Sequence, residues 1–262
     1  MPNNRLFAGL DYLKALKKHY PLLLKNHPNL FGFVGNWLAN EKEVGNDQEP
    51  AERFVRPENH TFNSLFNAWS FSIRGSIRWL GASCTYKGLI NLKPPFDLVL
   101  YSNLIWELQP KTIIEFGSLQ GGSSLWFADQ QQTLCGGGTV HSFDILNECI
   151  HPRAKHPNLH FHEVDLEDLS SLDKKALKSL PHPWLVVDDA HCNLKKLVPY
   201  MSSMMKPGDY YIIEDVYVDA PLKVTSDAVA LMNKCKLIVD KKYTDAFGTN
   251  VTCSPNAWLV KR

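Results

Sequence analysis

The spacing of apolar residues changes character near Pro110. Before it, apolar positions recur at helical intervals. Leu6, Leu10, Leu13 and Leu16, followed by Phe31, Phe33 and Trp37, predict one or two short helices over 3–39. Residues 40–60 are polar and carry Pro50 and Pro57, which predicts a loop able to act as a linker or a lid. Helical spacing resumes with Phe62, Leu65, Phe66, Trp69, Ile73, Ile77 and Leu80. Arg74 and Arg78 fall one turn apart there, placed either to pair with surface acids or to face an anionic substrate. Residues 87–95 read as a connector, and Pro94-Pro95 leads into a strongly apolar helix over 96–108.

Beyond Pro110 the apolar residues gather in short runs separated by helical stretches. Strands are predicted at 112–115, 139–144, 159–164, 184–188, 210–214, 237–239 and near 257–260. Helices are predicted at 122–132, 166–180, 193–205 and 222–234. Such alternation implies a parallel sheet covered on both faces.

Composition narrows the partners. With 262 residues and 44% hydrophobic content, the chain can bury a substantial α/β core. A net charge of +1 gives no global bias towards nucleic acid or an anionic membrane. Six scattered cysteines without a C-x-x-C pair fit reduced thiols better than a disulfide framework or structural zinc. Residues 6–24 interleave Leu with Asp11, Lys14, Lys17, Lys18 and His19, unlike a secretory leader, and no run is apolar enough to span a bilayer. The expectation is a soluble, cytoplasmic protein.

The stretch I-I-E-F-G-S-L-Q-G-G-S-S, from Ile113 to Ser124, organises the rest. A β-branched strand reaches Glu115, turns through Gly117, Gly121 and Gly122, and enters a helix. Such a turn sets unpaired N–H groups and a positive dipole end beside a cavity at the carboxyl edge of the sheet. Asp144 closes the next strand, V-H-S-F-D, where an acid can hold ribose hydroxyls or simply cap a loop. Two later strands end in acid pairs: Asp188-Asp189 in W-L-V-V-D-D-A-H, which closes on His191, and Glu214-Asp215 in Y-Y-I-I-E-D. Either one acid of each pair caps the following helix, or the carboxylates converge on a hard cation such as Mg²⁺. No histidine is followed two residues later by an acid, so a nonheme iron triad is absent. There is no G-x-S-x-G elbow, and the glycine spacing is not the G-x-G-x-x-G of dehydrogenases.

Taken together, E-F-G-S-L-Q-G-G-S-S, D-D-A-H, Y-I-I-E-D, the lead-in L-I-W-E-L-Q-P and the C-terminal N-A-W-L-V-K-R resemble class I S-adenosylmethionine-dependent methyltransferases. More closely, the chain is similar to the cephalosporin hydroxylase-like family, which includes macrolide and rhamnosyl O-methyltransferases. The resemblance runs from about Trp79 to Arg262 and the missing iron triad opposes hydroxylation. It implies a Rossmann-like, doubly wound sheet, mostly parallel with an antiparallel C-terminal strand, over residues 96–262. Residues 1–95 would form a helical lid or oligomerisation segment. Glu115, Gly117, Ser118, Gly121, Gly122 and Ser123 would surround the methionine part of S-adenosylmethionine, with Asp144 on the ribose and Asp165 near the adenine. Asp188, Glu214 and Asp215 would bind Mg²⁺ or Mn²⁺. D-D-A-H departs here from the D-S-D-H of many relatives, which makes Asp189 an alternative ligand.

The implied activity is metal-assisted O-methylation of a small hydroxylated molecule in specialised metabolism, by a homo-oligomer with no nucleic-acid or membrane partner. Asp188 would act through the metal, and His191 would take the proton. N- or C-methylation from the same pocket, or a silent cofactor-binding partner subunit, are the alternatives.

Overall fold

The computed structural model describes residues 53–60, 85–190, 192–214 and 226–262. The helices predicted over 3–39 and 61–80, most of the polar loop, Arg74, Arg78, His191 and Asp215 lie outside the described residues.

Five parallel strands carry the fold: β4 (Thr112–Phe116), β5 (Thr139–Asp144), β6 (Leu159–Glu163), β7 (Trp184–Asp188) and β8 (Tyr210–Ile213). Beyond β8 lie β10 (Trp258–Lys261), antiparallel to both its neighbours, and β9 (Leu237–Asp240). A two-residue strand β1 (Phe54–Val55) adds to β9, completing the order β1-β9-β10-β8-β7-β4-β5-β6. From β4 the chain winds outward through β5 and β6, then returns to β7 and β8 on the other side. The switch point therefore falls between β4 and β7, where doubly wound sheets open a crevice at their carboxyl edge.

Both faces of the sheet are covered, which is why the central strands read as unbroken apolar runs. On one face, α1 (Pro95–Leu108) and α2 (Gly122–Cys135) bury Leu104, Ile105, Trp126 and Phe127 against Ile113 and Val187. On the other, α3 (Lys174–Ser179), α4 (Leu194–Ser202) and α5 (Ser226–Lys234) bring Leu177, Leu197, Met201 and Met232 to Ile114, Val186 and Ile213.

Three departures from the sequence reading have local causes. The helix expected over 166–180 shrinks to α3, preceded by a 3-10 turn at Leu169–Ser171. Asp165, Asp168 and Asp173 each accept backbone N–H groups two or three residues on, at 2.9–3.0 Å, and so break the helix into turns. The connector over 87–95 contains part of a hairpin, β2 (Thr85–Tyr86) and β3 (Leu89–Ile90). Lys87 and Gly88 both have positive φ, the backbone a tight two-residue hairpin turn needs. Inside the polar stretch, Arg53 makes a fork of hydrogen bonds at 2.9 and 2.8 Å to the buried Asp240, which ties β1 to the sheet edge.

Candidate active site

At the end of β4 the chain turns through Gly117, whose φ is +96°. A Cβ there would sit 2.9 Å from the carbonyl carbon and oxygen of Asp189, so only glycine lets this loop pass the end of β7. Gly122 serves a different purpose. Its missing side chain lets the first turn of α2 meet the hairpin, because a Cβ would lie 1.8 Å from the Ile90 carbonyl oxygen. The glycine-rich loop is thus clamped between β7 and the 85–90 hairpin.

Above this loop, at the switch point, lies a cavity of about 660 Å³, within the range of small-molecule and cofactor sites. Gly117, Asp144 and Asp165 line it, together with Asp189 and Glu214. Leu119, Ile145 and Leu146 give it an apolar wall, and their 54%, 57% and 47% exposure leaves that wall open to solvent. Cys192 also faces it, its thiol pushed up to about 11 by burial and the surrounding acids, so it is a neutral wall element.

The sequence-predicted cofactor residues divide into two groups. Gly117, Asp144 and Asp165 line the cavity; Glu115, Ser118, Gly121, Gly122 and Ser123 do not. Glu115 is fully buried and accepts hydrogen bonds from Ser124 and, at 2.7 Å, from Ser142. Burial raises its carboxyl above the ordinary range, partly offset by Lys93 and the serine hydroxyls. Ser118 and Ser142 share a hydroxyl contact of 2.6 Å. Asp144 accepts the backbone N–H groups of Ser118 and Leu119 at 2.7 and 3.0 Å, so one carboxylate oxygen ties β5 to the glycine loop.

The acid pairs separate by strand parity. Asp188 pairs in register with Phe116 and Ile213, on the face packed by α4 and α5, and is fully buried. Its Oδ2 accepts the Tyr211 hydroxyl at 2.7 Å, and it does not line the cavity. Asp189 is one residue further, and Glu214 one residue beyond Ile213, so both turn to the opposite side. Of the two acid pairs, the described residues that line the cavity are Asp189, the alternative ligand of the sequence reading, and Glu214.

They meet on Lys93, whose place in the site the sequence reading missed. Its Nζ donates to both Glu214 carboxylate oxygens at 2.7 and 2.8 Å and to Asp189 Oδ2 at 3.3 Å. Tyr101, from α1, donates its hydroxyl to Glu214 Oε1 at 2.5 Å. Burial works against the ammonium, but Glu214, Asp189 and Glu115 outweigh it and hold Lys93 above the ordinary lysine range, while burial pushes the Glu214 carboxyl well up in spite of Lys93; the three close contacts favour the ion pair. Among the described residues no three His, Cys, Asp or Glu side chains are grouped to hold a metal. The two acids that do converge supply oxygen donors around a single cation position, which is the chemistry of a hard divalent ion.

The sequence profile of the family described as Rhamnosyl O-methyltransferase/CmcI matches residues 76–230, more than half of the chain. The chain belongs to this family. A rhamnosyl O-methyltransferase of Mycobacterium bovis (strain BCG / Pasteur 1173P2) is 27% identical over 175 residues, covering 63% of this chain and 67% of that protein. Its counterpart in Mycobacterium leprae (strain TN) is 26% identical over 157 residues, 57% and 66% of the two chains. The match thus spans about two thirds of these relatives' length. Among solved structures, CmcI-N160 in its apo form superposes with a TM-score of 0.59 at 28% identity, covering 68% of this chain and 75% of that one. The structure cmcI-D160 Mg-SAM does so with a TM-score of 0.59 at 26% identity, covering 80% and 91%. The fold is accordingly the Rossmann-like methyltransferase fold, its antiparallel strand inserted as the resemblance implied. No helix among the described residues is long and apolar enough to cross a membrane.

Proposed function

We propose that this chain transfers the methyl group of S-adenosylmethionine to a hydroxyl oxygen of a small molecule, with Mg²⁺ or Mn²⁺ assisting. The observation that carries the reading is the continuity of one cavity. Gly117, Asp144 and Asp165 line it, and so do the acids Asp189 and Glu214. A relative described as Mg-SAM-bound and curated rhamnosyl O-methyltransferases support the same chemistry.

In this reading the residues divide the work. Leu119, Ile145 and Leu146 offer an apolar surface to the adenine, and the second oxygen of Asp144, held only by the long 3.4 Å contact from the Leu146 N–H, would accept the ribose hydroxyls. Gly117 lets the sulfonium end approach the backbone. Asp189 and Glu214, with Asp215 next to Glu214 in sequence, would hold the divalent ion, and Asp188 sets the rim from beneath through Tyr211. Bound there, such an ion would lower the pKa of an acceptor hydroxyl. His191, two residues after Asp189, is proposed to accept the proton. Methyl transfer from an already activated donor asks mainly for alignment and a nucleophilic oxygen.

Methyl-labelled S-adenosylmethionine should therefore label a rhamnosyl or related deoxyhexose glycoside in the presence of Mg²⁺, read by mass spectrometry. A chelator should abolish the label while donor binding persists. Donor binding with no transfer to any hydroxylated acceptor would favour a silent partner subunit, and full transfer in chelator would remove the metal from the mechanism.

A further inference from the structure

We propose that Lys93 is a resident counter-cation that competes with a divalent ion for the Asp189 and Glu214 carboxylates, so that metal entry and release of Lys93 form one exchange. The inference rests on the metal-assisted reading of this site. Lys93 reaches the acids from the segment between the hairpin and α1, and its side chain is only 2% exposed. The ammonium contacts three carboxylate oxygens, two on Glu214 and one on Asp189, which uses its three N–H donors. The rings of Tyr101 and Phe127, with centroids 5.7 and 5.5 Å from Nζ, wall it in.

Two carboxylates brought together at a rim repel unless a cation lies between them. Lys93 meets that requirement from within the chain, and the Tyr101 hydroxyl takes a further lone pair of Glu214. Those same lone pairs are what Mg²⁺ would coordinate. An ammonium and a divalent ion on the same oxygens would repel each other strongly in this enclosed place. Lys93 therefore acts as a positioning residue that keeps Glu214 and Asp189 together before the metal arrives and weakens metal affinity as its consequence.

The test is Mn²⁺ titration of the full chain, followed by electron paramagnetic resonance, in wild type and Lys93→Met, with S-adenosylmethionine binding by calorimetry as a control. Removing the competing charge should tighten Mn²⁺ binding on the order of tenfold or more. A merely structural lysine would leave affinity unchanged or weaken it. Lys93→Gln, which keeps an N–H donor at zero charge, should show the same direction and serves if Lys93→Met does not fold. Wild type that binds Mn²⁺ as tightly as both variants, or more tightly, overturns the proposal and leaves the metal reading intact. Folded proteins that bind the donor but take up no Mn²⁺ in any form overturn both.

Discussion

Replacing Glu214 with glutamine should lower folding stability by about 3 kcal/mol, measured by urea denaturation in the presence of a chelator. Lys93 would then keep its charge in a buried place with one remaining close charged contact, to Asp189 at 3.3 Å, and Glu115 acting from further off. The glutamine amide can still accept one hydrogen bond, but it cannot balance the ammonium, and breaking one partner of a buried pair costs more than the pair is worth. The double variant Lys93→Met/Glu214→Gln should regain much of the loss, because no uncompensated charge remains. Equal stability of the single and double variants would show that the ammonium is already balanced elsewhere.

Gly122→Ala should be nearly as damaging, at about 2–3 kcal/mol, although the residue lies in a helix where alanine is ordinarily preferred. The new methyl group would fall 1.8 Å from the Ile90 carbonyl oxygen, a backbone atom that no side-chain rotation can move. The hairpin or the first turn of α2 must then shift, and with it the glycine loop below the cavity. Thermal denaturation and donor affinity should both fall. An alanine variant as stable as wild type would mean that the hairpin packs more loosely on α2 than this contact implies.

Much of the architecture was legible because both faces of the sheet are covered. Trp184 to Asp188 and Tyr210 to Ile213 are buried throughout, and a strand with no polar face leaves a plain signature. The glycines after β4 were legible as a turn, but not which of them faces a ligand. Gly117 lines the cavity, whereas Gly122 abuts Ile90, and only tertiary packing separates those uses. The acid pairs were visible at strand ends, yet Asp188 and Asp189 are adjacent in sequence and point to opposite faces. Their roles depend on register, here Asp188 opposite Ile213. Lys93 carried no local signal at all. A lysine before two prolines reads as a solvated connector, and its burial among Glu214, Asp189 and Tyr101 follows from where the hairpin and α1 are placed.

Titration of the full chain with S-adenosylmethionine by calorimetry, beside Asp144→Asn, bears most directly on the central claim that this cavity holds the methyl donor. Asp144 keeps its fold-side contacts to Ser118 and Leu119 through one oxygen, so an amide of the same shape should preserve the loop and lose the charged acceptor for the ribose. Wild type should show saturable one-to-one binding, and Asp144→Asn should bind more weakly by about 1–3 kcal/mol. A folded wild-type chain that shows no binding, or an asparagine variant with unchanged affinity, would contradict the account.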